Sequence, residues 1–207
     1  MKPNLVIHGY PIHAFLGSGK AGDSYLISYH QSFAVLKVMH HRPFINHHVF
    51  TIEDEITSYR LLSHLGIEIP LILEVNKEEG YLIKTFIEGP TLAEYMIHHE
   101  IPIALYTAYH KTIKAIESAG YTIDYFPTNF IVSHCITYID YEINPYQKRW
   151  SFLEWGIHFW FNKEGFHHYF THEHDMSGLL HHMEESIPIQ TSDPIKTAFL
   201  NTIKGEL

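Results

Sequence analysis

The first 87 residues alternate short apolar runs with turn residues, which is the pattern of antiparallel β-strands. Residues 4–7 and 13–16 are short apolar segments, and residues 25–29, 32–39, 71–75 and 81–87 are β-rich runs that read as strands. Residues 51–65 instead repeat apolar side chains every three or four positions, which predicts an amphipathic helix. The pattern therefore predicts an N-terminal lobe, residues 1–87, with a five-stranded antiparallel sheet and one helix.

The positions after residue 87 predict a second lobe that is mostly helical. Residues 88–90 form a Glu-Gly-Pro linker, which divides the chain into predicted domains at 1–87 and 88–207. Five segments have helical spacing or cap residues: residues 92–99, 103–119, 152–161, 166–181 and 192–204. Residues 129–132 and 135–139 are β-rich and predict a hairpin. The expected fold class is α+β with two lobes.

Composition and charge exclude several classes of protein. The net charge of −9 argues against a general nucleic-acid binder, which would carry a basic face. No uncharged apolar run approaches the roughly 20 residues of a membrane span, and the N-terminal apolar run is too short for a signal peptide. Cys135 is the only cysteine, so no internal disulfide is expected and a reducing cytoplasm is the expected location.

The chain contains 19 histidines, and the densest group lies at residues 167–175. The residues of metal-ligand type in this group are His167, His168, His172, Glu173, His174 and Asp175. Such a group is chemically suited to a metal ion. Histidines also serve as ordinary polar residues at protein surfaces, and we favour this second interpretation.

A glycine-rich turn and an isolated lysine occur in the predicted sheet. Residues 17–22 read Gly-Ser-Gly-Lys-Ala-Gly and precede a strand, whereas a dinucleotide-binding fold would place a helix there. The pattern favours a flap over nucleotide phosphates, because glycines allow close approach of the backbone. Lys37 lies inside an apolar strand, and since a buried ammonium needs an anionic partner we expect it to pair with Glu55. Alternatively, the acidic residues 53–55 complement the helix dipole.

Oxygen-bearing side chains gather at the ends of the predicted hairpin. Asp124 lies five residues before Asn129, where the first strand begins, and Asp140 follows the second strand. Carboxylate and amide oxygens suit Mg²⁺, and a carboxylate can also accept the proton of a hydroxyl group. Asp and Asn are common in ordinary turns as well, so the spacing alone leaves both interpretations open.

The order of these motifs resembles that of the protein-kinase-like superfamily. The motifs are GSGKAG, AVLK, the helix with Glu55, FIEGPTL, DYFPTN and IDYE, and the resemblance covers roughly residues 13–142. This superfamily includes the eukaryotic-type protein kinases, small bacterial and atypical serine/threonine kinases, and the aminoglycoside and choline phosphotransferases. The resemblance implies a two-lobe kinase-like fold with a reduced second lobe, and it implies the use of ATP and Mg²⁺.

The resemblance also implies a role for each motif residue. The glycine loop would cover the phosphates of ATP, and its residues are Gly17, Ser18, Gly19, Lys20, Ala21 and Gly22. Lys37 would hold the α- and β-phosphates and would be positioned by Glu55. Asp124 would orient and deprotonate the acceptor hydroxyl, and Lys37 and Asn129 would join it as catalytic residues. Asn129 and Asp140 would bind Mg²⁺.

The sequence departs from the family pattern after the glycine loop and lysine. Phe126 stands where a lysine or histidine is common, and no Ala-Pro-Glu segment follows Asp140. The favoured prediction is a small atypical serine/threonine kinase that transfers the γ-phosphate of ATP to itself or to a protein partner. Two alternatives stay open. One is a kinase-fold protein that binds nucleotide and a partner without transfer, and the other is a small-molecule kinase whose cationic acceptor suits the negative net charge.

Overall fold

The computed structural model of the protein describes residues 5–40, 50–184, 197–199 and 201. The chain divides into an N-terminal unit, Met1–Ser63 with Ile69–Ile87, and a C-terminal unit, His64–Glu68 with Glu88–Leu207. None of the helices within the described ranges is long and apolar enough to cross a membrane. The helix predicted at residues 192–204 lies mostly outside those ranges, so it stays a prediction.

The N-terminal unit contains one antiparallel sheet. Its strands are β1 (Val6–Ile7), β2 (Tyr10–Ser18), β3 (Gly22–Tyr29), β4 (Ser32–Met39), β5 (Ile72–Asn76) and β6 (Tyr81–Thr85). They lie in the order β1-β2-β3-β4-β6-β5. Within the described residues the sheet has six strands in place of the predicted five, because β1 pairs with β2 across a tight turn. His8 and Gly9 both have positive φ in this turn. Asn-Gly at these positions would have predicted a two-residue hairpin turn, whereas His-Gly does not.

Helix α1 (Ile52–His64) packs at the end of the sheet where β2 turns into β3. Thr51 and Asp54 exchange hydrogen bonds at its first turn, which satisfies backbone donors that have no partner within the helix. Ile52 is buried against Ala21, which precedes β3, and against Met39 at the end of β4. Burial of these apolar side chains fixes α1 against the sheet.

Three tyrosine hydroxyls donate to the carboxylate of Glu74 on β5. Tyr10 and Tyr81 lie 3.2 and 3.0 Å from Glu74 Oε1, and Tyr29 lies 3.1 Å from Oε2. Burial, assisted by the neighbouring Tyr81 and Glu74, raises the pKa of Tyr10. The carboxylate thus links β5 to β2, β3 and β6.

We expect Glu74→Leu to lower the free energy of unfolding by about 2–4 kcal/mol, because three phenol donors would lose their acceptor. Glu74→Gln keeps an oxygen acceptor and should lose less. Urea unfolding of the variants measures both effects. Glu53→Gln is the control, since Glu53 pairs with Lys77 at an exposed position and should contribute little. Equal losses in Glu74→Leu and Glu53→Gln would contradict the role of the tyrosine cluster.

The C-terminal unit is mostly helical, and its described residues also include one short β-hairpin and one further pair of antiparallel strands. Its helices are α2 (Leu92–His98), α3 (Ile103–Ser118), α4 (Ile157–Trp160), α5 (Lys163–Thr171) and α6 (Ser177–Glu184). Its strands are β7 (Tyr121–Ile123), β8 (Phe130–Val132), β9 (Ile136–Tyr138) and β10 (Ile143–Pro145). β8 pairs with β9 as the hairpin prediction required, and β7 pairs with β10. The described part of the chain is therefore α+β.

Two of the predicted helices differ from the structure. The segment at 152–161 begins with a π-helical turn, Phe152–Gly156, and only then continues as α4. The single helix predicted at 166–181 is wrong, because α5 ends at Thr171 and α6 begins at Ser177. Glu173 and His174 have positive φ in this break, and neither residue type marks a helix end as Gly or Pro would.

The histidine-rich segment forms a helix cap. No group of three or more His, Cys, Asp or Glu side chains within the described residues is arranged to hold a metal ion. Asp175 instead accepts hydrogen bonds from the backbone N–H and the hydroxyl of Ser177, and it lies 2.9 Å from His168 Nε2. These bonds, those from Ser177 first, hold the pKa of Asp175 well below its usual range. Asp175 thereby supplies an acceptor for a backbone N–H at the start of α6, where no partner within the helix exists.

Candidate functional site

A buried ion pair is the first feature of the candidate site, and it lies in the N-terminal unit. Lys37 on β4 is 6% exposed and Glu55 on α1 is 7% exposed. Lys37 Nζ donates to Glu55 Oε1 at 2.5 Å. The second carboxylate oxygen, Oε2, is buried and has no hydrogen-bond partner among the described residues. The expected pair of Lys37 and Glu55 therefore forms. It leaves Glu55 Oε2 as a buried acceptor that receives no hydrogen bond from the described residues.

The glycine-rich turn connects β2 to β3 beside this lysine. β2 ends at Ser18, and the N–H of Gly19 donates to the carbonyl of Gly22 at 2.9 Å. Ser24, two residues into β3, pairs directly with Lys37 in the register of β3 and β4. The turn therefore leads into the part of β3 that pairs with Lys37 on β4. Residues 18–20 of the turn are exposed to solvent.

The base of this turn is held against β4. The carbonyl of Ala21 accepts a hydrogen bond from the N–H of His40 at 2.8 Å. Gly22 approaches β4 so closely that a Cβ added there would lie 2.2 Å from the carbonyl oxygen of Val38. At Gly19, by contrast, the nearest atom to an added Cβ would be 3.8 Å away. Gly22 thus serves the packing of the strands, whereas Gly19 faces open space.

The second group of predicted residues lies in the C-terminal unit, at the ends of two antiparallel strand pairs, β7 with β10 and β8 with β9. Ile123 on β7 pairs with Ile143 on β10, so Asp124 follows β7 at the end where β10 begins. The N–H of Ile139 donates to the carbonyl of Asn129 at 2.9 Å. Asp140 is the next residue, so the backbone brings it beside Asn129. The pairing of the strands thereby gathers the three predicted residues of this unit.

Hydrogen bonds fix the backbone around these side chains. Asp124 Oδ1 accepts from the N–H of Phe126 at 3.1 Å, and Asp140 Oδ1 accepts from the N–H of Tyr141 at 2.9 Å. The amide nitrogen of Asn129 lies 3.5 Å from the carbonyl oxygen of Asp124. All three predicted side chains are half-buried. Local turns therefore set the direction of both carboxylates.

The carboxylates of Asp124 and Asp140 both affect the pKa of one neighbouring residue, Tyr138. Tyr138 is buried, and its hydroxyl donates to the carbonyl of Glu142 at 2.9 Å. Burial raises its pKa well above the usual value, and the charges of Asp140 and then Asp124 raise it further. Both carboxylates are thus close enough to one buried phenol to disfavour its ionised form.

The donor atoms of this group fit Mg²⁺. Asp140 and Asn129 supply carboxylate and amide oxygens, with the carboxylate of Asp124 nearby. Hard divalent cations of this size bind oxygen ligands and commonly use only one or two carboxylates from the protein. A set without histidine or cysteine does not favour a softer metal such as zinc.

The residues that hold Tyr125, the neighbour of Asp124, were not predicted from the sequence. Glu117 Oε1 on α3 accepts from the Tyr125 hydroxyl at 3.0 Å and from the N–H of Phe152 at 2.8 Å. Trp160 Nε1 donates to the carbonyl of Tyr125 at 2.8 Å. Burial raises the pKa of Glu117. One signal was present: Glu117 lies four residues after the buried Ile113, and an acidic residue at a helix C-terminus opposes the helix dipole.

Phe126 occupies a hydrophobic pocket formed by aromatic rings. Its ring centroid lies 5.0 Å from that of Phe159 and 5.4 Å from that of Phe166. Tyr169 lies at 6.2 Å. The position two residues after Asp124 therefore contributes apolar packing and supplies no charge.

No protein-family model matches the chain. A search of curated proteins also found no match.

The solved structures to which the chain is similar include crystal structures of the Mycobacterium tuberculosis PknI kinase domain. Two of them have TM-scores of 0.44 and 0.45 at 14% sequence identity, and a mutant form has 0.42 at 15%. Each similarity covers 68% of this chain. The chain spans about 62% of the length of the first of these kinase domains.

Proposed function

We propose that the protein is an ATP- and Mg²⁺-dependent phosphotransferase, and more specifically a small atypical serine/threonine kinase. The observation that carries this proposal is the buried ion pair of Lys37 and Glu55. A buried ion pair contributes little stability compared with apolar residues of similar volume. A lysine inside an apolar strand therefore supports a function for its charge, and phosphate oxygens are the natural partner.

Each residue group has its own part in the proposed reaction. Lys37, oriented by Glu55, holds the α- and β-phosphates, and the backbone of residues 17–22 approaches the phosphates closely because of its glycines. Asp124 orients a serine or threonine hydroxyl and accepts its proton while the oxygen bonds to the γ-phosphorus and ADP leaves. Asn129 and Asp140 hold Mg²⁺, which when bound neutralises charge on the phosphates.

The acceptor in this proposal is a hydroxyl group of the protein itself or of a partner protein. The expected location is the cytoplasm, where a single cysteine such as Cys135 stays reduced.

We expect Asp124→Ala to lower kcat for γ-phosphate transfer by about 100-fold or more, because general-base catalysis and hydroxyl positioning are both lost. The assay follows transfer from labelled ATP with Mg²⁺ to the protein or to a generic protein substrate. Glu154→Gln is the control, because Glu154 is half exposed and 3.9 Å from Lys148 on the same unit. Full transfer by Asp124→Ala would refute the assigned role.

A second candidate function is nucleotide-dependent binding of a partner without transfer. The packing of Phe126 favours it, because the position supplies no cation near the γ-phosphate. In that case ATP and Mg²⁺ would raise the melting temperature of the wild type, and mass measurement would detect no added phosphate. Transfer by the wild type and its loss in Asp124→Ala would exclude this candidate.

A further inference from the structure

We propose that Glu117 is a positioning residue for Asp124 and acts by holding Tyr125 between α3 and the π-helical turn. The inference rests on the proposed phosphotransferase function, since it assigns to Glu117 the task of fixing the loop that carries the reacting carboxylate.

Tyr125 is held at both its hydroxyl and its carbonyl. Its hydroxyl donates to Glu117 Oε1, and its carbonyl accepts from Trp160 Nε1. Tyr125 is completely buried, and its ring lies edge-on to Phe152 with centroids 5.4 Å apart. Because Asp124 is the preceding residue, these contacts determine where its backbone lies. The short turn closed by the N–H of Phe126 then directs its carboxylate.

The π-helical turn takes part in the same arrangement. Phe152 opens this turn, and its N–H donates to the oxygen of Glu117 that Tyr125 uses. Gly156 closes the turn, and a Cβ added there would lie 2.6 Å from the Cβ of Tyr125. One carboxylate oxygen therefore joins three segments: the end of α3, the loop with Asp124, and the π-helical turn. Turns of this kind are frequent at functional sites.

Because both hydrogen bonds end on Glu117 Oε1, substitutions of Glu117 can separate the loss of its charge from the loss of its acceptor. Glu117→Gln retains an oxygen acceptor at the position of Oε1 and loses only the charge, so it should keep both hydrogen bonds. Glu117→Leu has similar volume and no acceptor, so both donors lose their partner. Tyr125→Phe removes only the hydroxyl and is the milder variant if Glu117→Leu folds poorly.

The first measurement is amide hydrogen exchange of residues 121–129, which requires no activity. We expect faster exchange there in Glu117→Leu and Tyr125→Phe, by about 10-fold or more, and wild-type exchange in Glu117→Gln. Unchanged exchange in both Glu117→Leu and Tyr125→Phe would overturn the proposal. If the wild type transfers no phosphate, the proposed function fails, and this measurement still decides whether Glu117 holds the loop.

The second measurement separates kcat from KM for ATP. Glu117→Leu and Tyr125→Phe should lower kcat by about 10- to 100-fold with KM for ATP within about 3-fold of the wild type, because only the reacting carboxylate is displaced. Glu117→Gln should restore kcat to near the wild-type value, which a proton-transferring role for Glu117 would not allow. An equal loss of kcat in Glu117→Gln and Glu117→Leu would overturn the positioning role.

The pH dependence of unfolding supplies a further control. Burial raises the pKa of Glu117 in the folded state, so the protonated carboxyl favours folding below the unfolded pKa. This contribution is lost as the pH rises through the folded pKa. Glu117→Gln does not titrate, so its stability relative to the wild type should increase over the same pH interval. A constant difference would contradict the half-buried environment that the structure gives Glu117.

Discussion

Replacing Lys37 by methionine is expected to reduce kcat/KM for γ-phosphate transfer by about 100-fold or more, because the proposed electrostatic contact with the phosphates would be lost. Methionine has an unbranched side chain that suits the buried position on β4. The same change leaves the buried carboxylate of Glu55 without its cation, and breaking a buried pair from one side costs about 3–5 kcal/mol. A loss of activity in Lys37→Met could therefore result from the missing phosphate contact or from reduced stability of the fold.

The double variant Lys37→Met with Glu55→Leu separates them. Replacement of both partners by apolar residues is often neutral or stabilising, so the double variant should recover most of the lost stability. It should not recover transfer, because the cation is still absent. Lys77→Met is the matched control, since Lys77 forms an exposed pair with Glu53 in the same unit. A double variant that is stable and fully active would refute the phosphate-binding role of Lys37.

The sequence was most informative where the chemistry of a single residue constrains its surroundings. A lysine in an apolar strand requires an anion, and this requirement predicted the pairing with Glu55 across 18 residues. The hairpin of β8 and β9 was predicted for a similar reason, because β-branched residues flank a short polar turn. In both cases the signal lies in a few neighbouring residues of the sequence, and the fold supplies the partner that the signal requires.

The features that were missed depend on partners distant in sequence or on unusual backbone conformations. Glu117 binds the N–H of Phe152, 35 residues later, and no local pattern marks that N–H as a donor. The break between α5 and α6 places Glu173 and His174 at positive φ, where Gly or Asn would have been the usual signal. Helical spacing alone cannot show that the segment after Ser151 begins with a π-helical turn.

The glycine-rich turn contains two glycines, Gly19 and Gly22, that the sequence pattern alone does not distinguish. Gly22→Ala is expected to lower the free energy of unfolding by about 3 kcal/mol, because overpacking against fixed backbone shifts both strands. The added Cβ would lie 2.2 Å from the carbonyl oxygen of Val38, and backbone cannot move aside as a flexible side chain can. Urea unfolding measures the change, and a variant as stable as the wild type would contradict the close approach of β3 and β4.

Gly19→Ala should leave the free energy of unfolding unchanged, because the nearest atom to the added Cβ is 3.8 Å away. It should nevertheless weaken nucleotide binding, raising the Kd for ATP with Mg²⁺ by about 10-fold, since a methyl group keeps the backbone of the turn from the phosphates. Calorimetric titration measures this. Loss of affinity without loss of stability at Gly19, and loss of stability at Gly22, would assign phosphate binding to the exposed part of the turn. Unchanged affinity in Gly19→Ala would mean that residues 17–22 connect two strands and do not cover a nucleotide.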